Sequence, residues 1–306
     1  MRALRILISG AGGTVGRALV PALVADGHTV TRLVRGRSPR AAGEFGWDPV
    51  GGALDPGAIV GSDAVVHLAG ASIAAGRWTA SRKAEILESR RLGTRLIATA
   101  IARAASPPRV LVCASAVGYY GDRGDDVLTE QSDPGAGFLA GVVRAWEGEA
   151  RAAVVAGVRV VHLRQGLVLA RHGGALPLMT IPFRLGLGGP IADGRQWLSW
   201  IGVVDLIRIV RHTLARDDAR GPINAVSPHP VTHADFSRAL AGVLRRPAFL
   251  RVPGWSLRVL LGEMGRELLL FSQRAVPSRL LAAGFTFDHP GIEDGLRTAL
   301  AAPDAR

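Results

Sequence analysis

A chain of 306 residues, 48% hydrophobic and 20% charged, carries enough apolar material for one large core. A single cysteine excludes a disulfide framework, the apolar content excludes a disordered chain, and no run approaches ~18 apolar residues, so no membrane-spanning helix is expected. The net charge of +12 comes from 37 Lys and Arg against 25 Asp and Glu. Its arginines are scattered, with no basic run longer than Arg90-Arg91 or Arg245-Arg246, so neither nucleic acid nor a membrane is an expected partner.

The apolar stretch Leu4 to Ile8 is too short for a signal peptide, and the expectation is a soluble, cytoplasmic protein. Strand-like and helix-like runs alternate through the first half, which predicts an α/β fold: a doubly wound parallel sheet with helices on both faces. Leu4 to Ser9 reads as a strand that stops at Gly10. Thr14 to Asp26 reads as a helix through Val15, Leu19 and Leu23, with Pro21 awkward inside it and Gly27 ending it. His28 to Val34 and Asp63 to Leu68 are further strands, and a weaker one lies near Glu44 to Trp47. A long helix is expected from about Thr79 to Ala105, stopped by Pro107-Pro108. Arg109 to Ala114 is a buried-looking strand containing Cys113, followed by a helix over Phe138 to Ala156 and a strand over Val158 to Leu163. Beyond Arg164 the pattern loosens. Leu185 to Gly202 holds no convincing long helix, whereas Asp205 to Ala215, Thr232 to Leu244 and Trp255 to Phe271 look helical.

The first turn is the strongest local signal. Gly10, Gly13 and Gly16 are spaced three apart, with Gly12, Thr14 and Val15 between them, directly between a strand and a helix. That context suits a dinucleotide: backbone freedom at Gly10, close approach of a diphosphate at Gly13, tight helix packing at Gly16, and amide donors at the helix N-terminus. An NAD site usually carries an acid at the end of the second strand, some 20 residues on. Here the strand ends in Leu33-Val34-Arg35, followed by Gly36 and Arg37. A guanidinium suits a 2′-phosphate, so NADP(H) is expected over NAD.

In order along the chain come Trp47-Asp48-Pro49, the run Asp63 to Gly70, Arg77-Trp78-Thr79 with Lys83, Ser89-Arg90, Ser115 to Gly121, Phe138-Leu139-Ala140 and Trp146-Glu147. Then follow Arg164 to Leu169, Pro182 to Gly189 and Gln196 to Ile201. With these motifs the chain resembles the extended short-chain dehydrogenases, and more closely their atypical "epimerase family protein" branch. Gly202 departs from that branch, which usually carries His there. The resemblance implies a dinucleotide-binding Rossmann domain with substrate-loop insertions over residues 1–245 and a small helical domain over 246–300. It also implies a cofactor site at Gly10, Gly12, Gly13, Thr14, Val15, Gly16 and Arg35, with Leu68, Ala69 and Gly70 beside the ribose and nicotinamide and Gly166 and Val168 near the carboxamide.

Enzymes of the superfamily usually move a proton through a Tyr, whose pKa is lowered by a Lys four residues on, together with a Ser. The Ser matches Ser115, but the Tyr and Lys positions match Phe138 and Val142, and the usual Asn is replaced by Arg90. Tyr119 and Tyr120, which follow Ser115, are the remaining candidate proton donors, with a structural role as the plainer reading. Lys83, the sole lysine, and Arg90, Arg184, Gln196 and Trp200 are candidate contacts to a small polar substrate. The expected function is an NADP(H)-dependent oxidoreductase or epimerase-like enzyme, with a non-catalytic NADP(H)-binding sensor as the alternative. A homodimer stays open.

Other constellations carry less. His229 and His233 are split by prolines and argue against a metal pair, so no metal is expected. Glu130 and Asp133 read as surface residues of a turn, and Cys113 as a buried, inert thiol.

Overall fold

A computed structural model of the chain describes residues 2–36 and 41–301. Arg37 therefore lies outside the described residues. The first half runs β1 (Arg5–Ser9), α1 (Thr14–Ala25), β2 (Thr29–Arg35), β3 (Glu44–Asp48), β4 (Ala53–Leu54), β5 (Ala64–His67), α2 (Ala80–Arg103) and β6 (Val110–Ala116). A 3-10 turn (Val117–Tyr120), β7 (Val127–Leu128), α3 (Phe138–Gly148), α4 (Arg151–Val155) and β8 (Arg159–Gln165) follow. The second half begins with β9 (Leu167–Leu169), α5 (Leu176–Arg184), β10 (Trp197–Leu198), β11 (Trp200–Gly202), α6 (Val203–Ala215), β12 (Gly221–Ala225), β13 (Val231–Thr232) and α7 (His233–Leu244). It ends with α8 (Gly254–Gly265), a π-helical turn (Arg266–Leu270), β14 (Arg274–Ala275), α9 (Ser278–Ala282) and α10 (Ile292–Ala301).

Eight strands form one sheet in the order β12-β8-β6-β5-β1-β2-β3-β4, parallel throughout except for the last pair. Alternate residues feed two separate cores. Ile6 and Ile8, Ala64 and Val66, Val110 and Val112, and Val161 and Leu163 pack under α1 and α6. Leu7, Val65, Leu111, Cys113 and Val160 pack under α2 and α4 on the other face. Burial on both faces is why these strands read as unbroken apolar runs. Strand order reverses between β1 and β5, so the loops after them leave toward opposite faces and open a crevice at the carboxyl edge.

A third core belongs to the second half. Trp200 sits at its centre with Leu169, Leu176, Phe183, Phe236 and Leu240, joined by Leu296 and Ala299 of α10. No helix among the described residues is long and apolar enough to cross a membrane.

The differences from the sequence reading have local causes. β12 was not expected because Gly221 and Pro222 open it, and Pro222 is tolerated because β12 is the edge of the sheet. The helix from Phe138 divides at Gly148. Glu149 at the break bonds Arg91 (2.9 Å) and Arg95 (2.7 Å) of α2. α5 was hidden by Pro177, which suits a first turn, and by Pro182 near its end. The expected helix over Trp255 to Phe271 turns at Gly262, whose φ of 61° no straight helix allows. Glu130 is not a surface residue. It is buried, and its carboxylate accepts from the amides of Asn224 (3.1 Å) and Arg279 (3.3 Å).

Candidate functional site

The loop after β1 is shaped by what its glycines lack. Gly10 has φ 74°, and a Cβ there would lie 2.8 Å from the Ala69 nitrogen, so the two loops of the switch point touch through it. At Gly16 a Cβ would lie 2.3 Å from the Gly10 carbonyl oxygen, which lets α1 pack directly on the loop. By contrast, a Cβ at Gly12 meets nothing within 4 Å, and one at Gly13 meets only the Gly10 oxygen at 3.3 Å. Exposed, unobstructed backbone therefore lies at Gly12 and Gly13. Gly13 is the extended N-cap of α1, with no side chain capping the helix and no acid in its first turn. Thr14 and Val15 begin that helix and are half-buried. This cradle fits the diphosphate of a dinucleotide.

Arg35 ends β2 exposed at the same edge, paired in register with Trp47. Leu68, Ala69 and Gly70 leave β5, with the Leu68 amide donating to the Ser9 carbonyl (3.1 Å). Gly166 is held by a different constraint, since a Cβ would lie 2.5 Å from the Ser199 carbonyl oxygen. Val168 pairs with Ile201 across β9 and β11. Beside Gly166, the Gln165 side-chain nitrogen is buried without a partner among the described residues.

Under the carboxyl ends of β6 and β8 lies a chain of polar contacts. The Ser115 hydroxyl donates to Glu147 Oε1 (2.6 Å), and Arg164 grips the same carboxylate through Nε and Nη2, both at 2.9 Å. Arg164 Nη1 donates to the Tyr120 hydroxyl (3.1 Å), which donates to Asn224 Oδ1 (2.7 Å). The Arg164 guanidinium also lies 3.4 Å from the centre of the Tyr119 ring. Burial pushes the Glu147 carboxyl up, but Arg164, His162 and the Ser115 hydroxyl together outweigh it and the net shift is downward, keeping the carboxylate ionised. Burial raises the Tyr120 phenol against the opposing pull of Arg164. Cys113, in the neighbouring core, is pushed up to about 12 by burial and then by Glu147, as suits an inert thiol.

These contacts change the standing of several expected site residues. Ser115 is only 3% exposed and Tyr120 fully buried, and both hydroxyls are engaged inside the protein. Trp200 does not face a substrate. It is fully buried, its indole nitrogen donating to the His229 carbonyl (3.0 Å). The Gln196 amide donates to the Ile191 (3.2 Å) and Leu269 (3.1 Å) carbonyls and so ties two loops together. Arg90 lies under Gly70 and donates to the Ala71 and Ile86 carbonyls, both at 3.0 Å. Burial, then repulsion from Arg82, lowers its guanidinium to about 10. It braces the cofactor-side loop from below.

Lys83 reaches the ring of Phe138, the residue at the superfamily's Tyr position, with Nζ 4.6 Å from the ring centre. The same ammonium pairs with Glu263 (2.8 Å) from the C-terminal segment. One helical turn on, the buried Glu267 carboxylate accepts from the amides of Phe138 (2.7 Å) and Leu139 (2.8 Å), capping α3 from another part of the chain. Glu147 enters the sequence reading only within the Trp146-Glu147 motif, with no role, and Asn224 and Glu267 do not enter it at all. The available signal was Arg164 inside an apolar strand, since a buried guanidinium needs a counter-ion.

Sequence comparison places the chain among known proteins. The profile of the NAD dependent epimerase/dehydratase family matches residues 6–226, and a domain of unknown function (DUF1731) matches residues 252–299. The Epimerase family protein Mb2239 of Mycobacterium bovis is 41% identical over 298 residues, covering 97% of this chain and 98% of its own. A chloroplastic homolog of Epimerase family protein SDR39U1 from Arabidopsis thaliana is 38% identical, covering 97% of this chain and 87% of its own. The crystal structure of human epimerase family protein SDR39U1 with NADPH superposes with a TM-score of 0.87 at 34% identity, covering 97% of this chain and 99% of that one. The cradle at Gly10 to Gly16, the strand order around it and these full-length likenesses agree: the chain belongs to the NAD-dependent epimerase/dehydratase family, as an epimerase family protein with a C-terminal DUF1731 segment.

Proposed function

We propose that the protein is a cytoplasmic NADP(H)-dependent oxidoreductase or epimerase-like enzyme that acts on a small polar substrate without the Tyr–Lys pair of its superfamily. The observation that carries this reading is the open backbone over Gly12 and Gly13 at an uncapped helix N-terminus, with Arg35 at the end of β2. Amide donors and the positive helix end would hold the diphosphate, and Arg35 would meet the 2′-phosphate where an NAD-selective site carries an acid. The NADPH in the human relative supports the same choice.

Bound NADP(H) supplies hydride exchange; this chain's residues hold it and handle the proton. Tyr120 is engaged by Asn224 and Arg164. Tyr119 is half-buried, its ring held against Arg164, and its hydroxyl joins no hydrogen bond among the described residues. Tyr119 is therefore the better placed of the two to pass a proton. Ser115 polarises a substrate oxygen only if its hydroxyl turns away from Glu147. The internal engagement of Ser115, Tyr120, Arg90 and Lys83 favours a second reading, a non-catalytic NADP(H)-binding sensor.

Titration with NADPH and NADH, followed by energy transfer from the 6 tryptophans, tests the cofactor reading. NADPH is expected to bind more tightly, and Arg35→Ala to weaken NADPH about tenfold while leaving NADH unchanged. Equal, weak binding of both nucleotides to the wild-type protein overturns it. On an identified substrate, Tyr119→Phe losing activity while Tyr120→Phe keeps it separates enzyme from sensor.

A further inference from the structure

Exposed apolar side chains gather in one part of the second half. Leu178, Ile181 and Leu185 recur at intervals of three and four along α5 and its end, each more than half exposed, and Leu187 follows them. Trp255, Val259 and Leu260 stand out from α8 in the same way, Trp255 being 70% exposed. Phe249, 72% exposed, and Leu250 lead into that helix. The backbone joins the two runs. The Leu250 amide donates to the Gly188 carbonyl (3.1 Å), the Val252 amide to the Pro190 carbonyl (3.0 Å), and the Ala192 amide back to the Val252 carbonyl (2.8 Å). These bonds set the chain leaving α5 beside the chain entering α8, so their exposed apolar residues adjoin. A grouping of this kind marks a contact surface, where singly scattered apolar residues would not. Its charge has one sign. Residues 245–262 contain Arg245, Arg246, Arg251 and Arg258 and no acid, and residues 176–192 contain Arg184 and no acid. Arg184, Arg245, Arg246 and Arg251 are exposed, and their side chains make no ion pair or hydrogen bond among the described residues. Glu263, further along α8, is already paired with Lys83 (2.8 Å).

The charge decides among occupants. A second copy of the chain fits poorly, because a twofold contact sets a patch against itself and arginine would face arginine. A nucleic acid would use the arginines and stack on Trp255 and Phe249 but leave the Leu, Ile and Val side chains in water. An anionic bilayer satisfies both kinds of group: its headgroups meet guanidinium donors, and its acyl boundary takes the aliphatic and aromatic side chains. We propose that this face docks peripherally on an anionic lipid bilayer, with Phe249 and Trp255 entering the headgroup boundary and Arg245, Arg246 and Arg251 meeting lipid phosphates and carboxylates. The arginines look scattered along the chain, yet the pairing of residues 188–192 with 250–252 sets both arginine-bearing runs beside the same apolar residues. Docking needs neither bound cofactor nor turnover, so it is independent of the NADP(H) reading.

The test is flotation of the full chain with vesicles of phosphatidylcholine alone and of phosphatidylcholine mixed with phosphatidylserine. Binding is expected to the mixed vesicles only and to weaken as salt is raised. Two double variants, Arg245→Gln with Arg246→Gln and Trp255→Ser with Leu260→Ser, are each expected to weaken partitioning about tenfold. All four side chains are exposed, so thermal melting should match wild type and loss of fold is not the cause. Arg103→Gln with Arg151→Gln, exposed arginines on α2 and at the start of α4, removes the same charge elsewhere and is expected to bind as wild type. Brominated acyl chains in the mixed vesicles should quench tryptophan fluorescence, and Trp255→Phe should abolish most of that quenching while still floating. Failure to float with the mixed vesicles, equal binding to both vesicle types, or an equal loss in the Arg103 and Arg151 variant overturns the proposal. So does a lipid-free dimer that the Trp255 and Leu260 variant dissociates, which would make the face a subunit interface. Binding of a single-stranded oligonucleotide in place of vesicles, lost in both double variants, overturns it equally.

Discussion

Two regions at the carboxyl edge of one sheet solve opposite problems. After β1, side chains are missing where a Cβ would strike backbone: 2.8 Å from Ala69 at Gly10 and 2.3 Å from the Gly10 oxygen at Gly16. Under β6 and β8, by contrast, five polar side chains from Ser115 to Asn224 are joined into one buried chain of contacts. The first region satisfies the Gly13 amide on the Gly10 carbonyl (3.0 Å) but leaves the backbone at Gly12 and Gly13 exposed before the uncapped start of α1, and so suits an incoming anion. The second satisfies its donors internally and has little to offer one. The comparison teaches that neighbouring loops of one sheet edge are shaped independently: the cradle leaves backbone exposed at Gly12 and Gly13, whereas the polar side chains under β6 and β8 pair with one another.

The buried chain can be broken most severely at Glu147. Glu147→Ala leaves Arg164, 4% exposed, without its counter-ion, and about 3–5 kcal/mol of folding stability is expected to be lost in denaturant unfolding. A pH series sharpens the assignment. The Glu147 carboxyl is held below its ordinary value of 4.5 in the folded protein, so its contribution is present above that pH and is lost as pH falls below it. The stability gap between wild type and Glu147→Gln should therefore be constant from neutral pH to about 5 and narrow on further acidification. A gap independent of pH down to 3 would show that the carboxylate charge contributes nothing.

The glycine loop is expected to break less in stability and more in binding. Gly16→Ala places a methyl against the Gly10 carbonyl, an overpacking worth about 1–3 kcal/mol, and the displaced loop should lose NADPH affinity at least tenfold. Gly12→Ala meets no atom within 4 Å, so its melting temperature should match wild type while NADPH binding still weakens, the added methyl pointing into the cradle. Equal destabilisation by both would contradict the division between packing glycines and ligand-facing ones.

How much of this was legible follows the same division. A glycine leaves a signature in sequence because its spacing between strand and helix is local, and the helix over Thr232 to Leu244 was legible for the same reason, Thr232 accepting from the Asp235 amide (3.2 Å) at its start. Paired charges are not local. Glu147 is 17 residues from Arg164, and Glu267 is 129 residues from the amide it caps. Nothing in the run Gly265 to Phe271 says that its acid will serve a helix from the first half. Trp200 misled for a related reason: a tryptophan in a Gly-rich segment looks exposed until α7 and α10 are folded over it.

The contact between Lys83 and Glu263 gives the smallest and most diagnostic effect, because it joins the two regions of sequence most distant in role. The two side chains are 31% and 41% exposed, so solvent screens the pair and about 0.5 kcal/mol is expected from it, falling further in high salt. Lys83→Met keeps an unbranched side chain near the Phe138 ring and removes only the charge. Its melting temperature should drop by a degree or two at low salt and coincide with wild type at 1 M salt. Glu263→Gln should show the same loss, and the double variant no more than either alone, since both report one interaction. An additive double variant would mean that the two charges are not coupled and that the Lys83→Met loss comes from the contact with the Phe138 ring, and the C-terminal segment would then be held to the cofactor half chiefly by Glu267 at the head of α3.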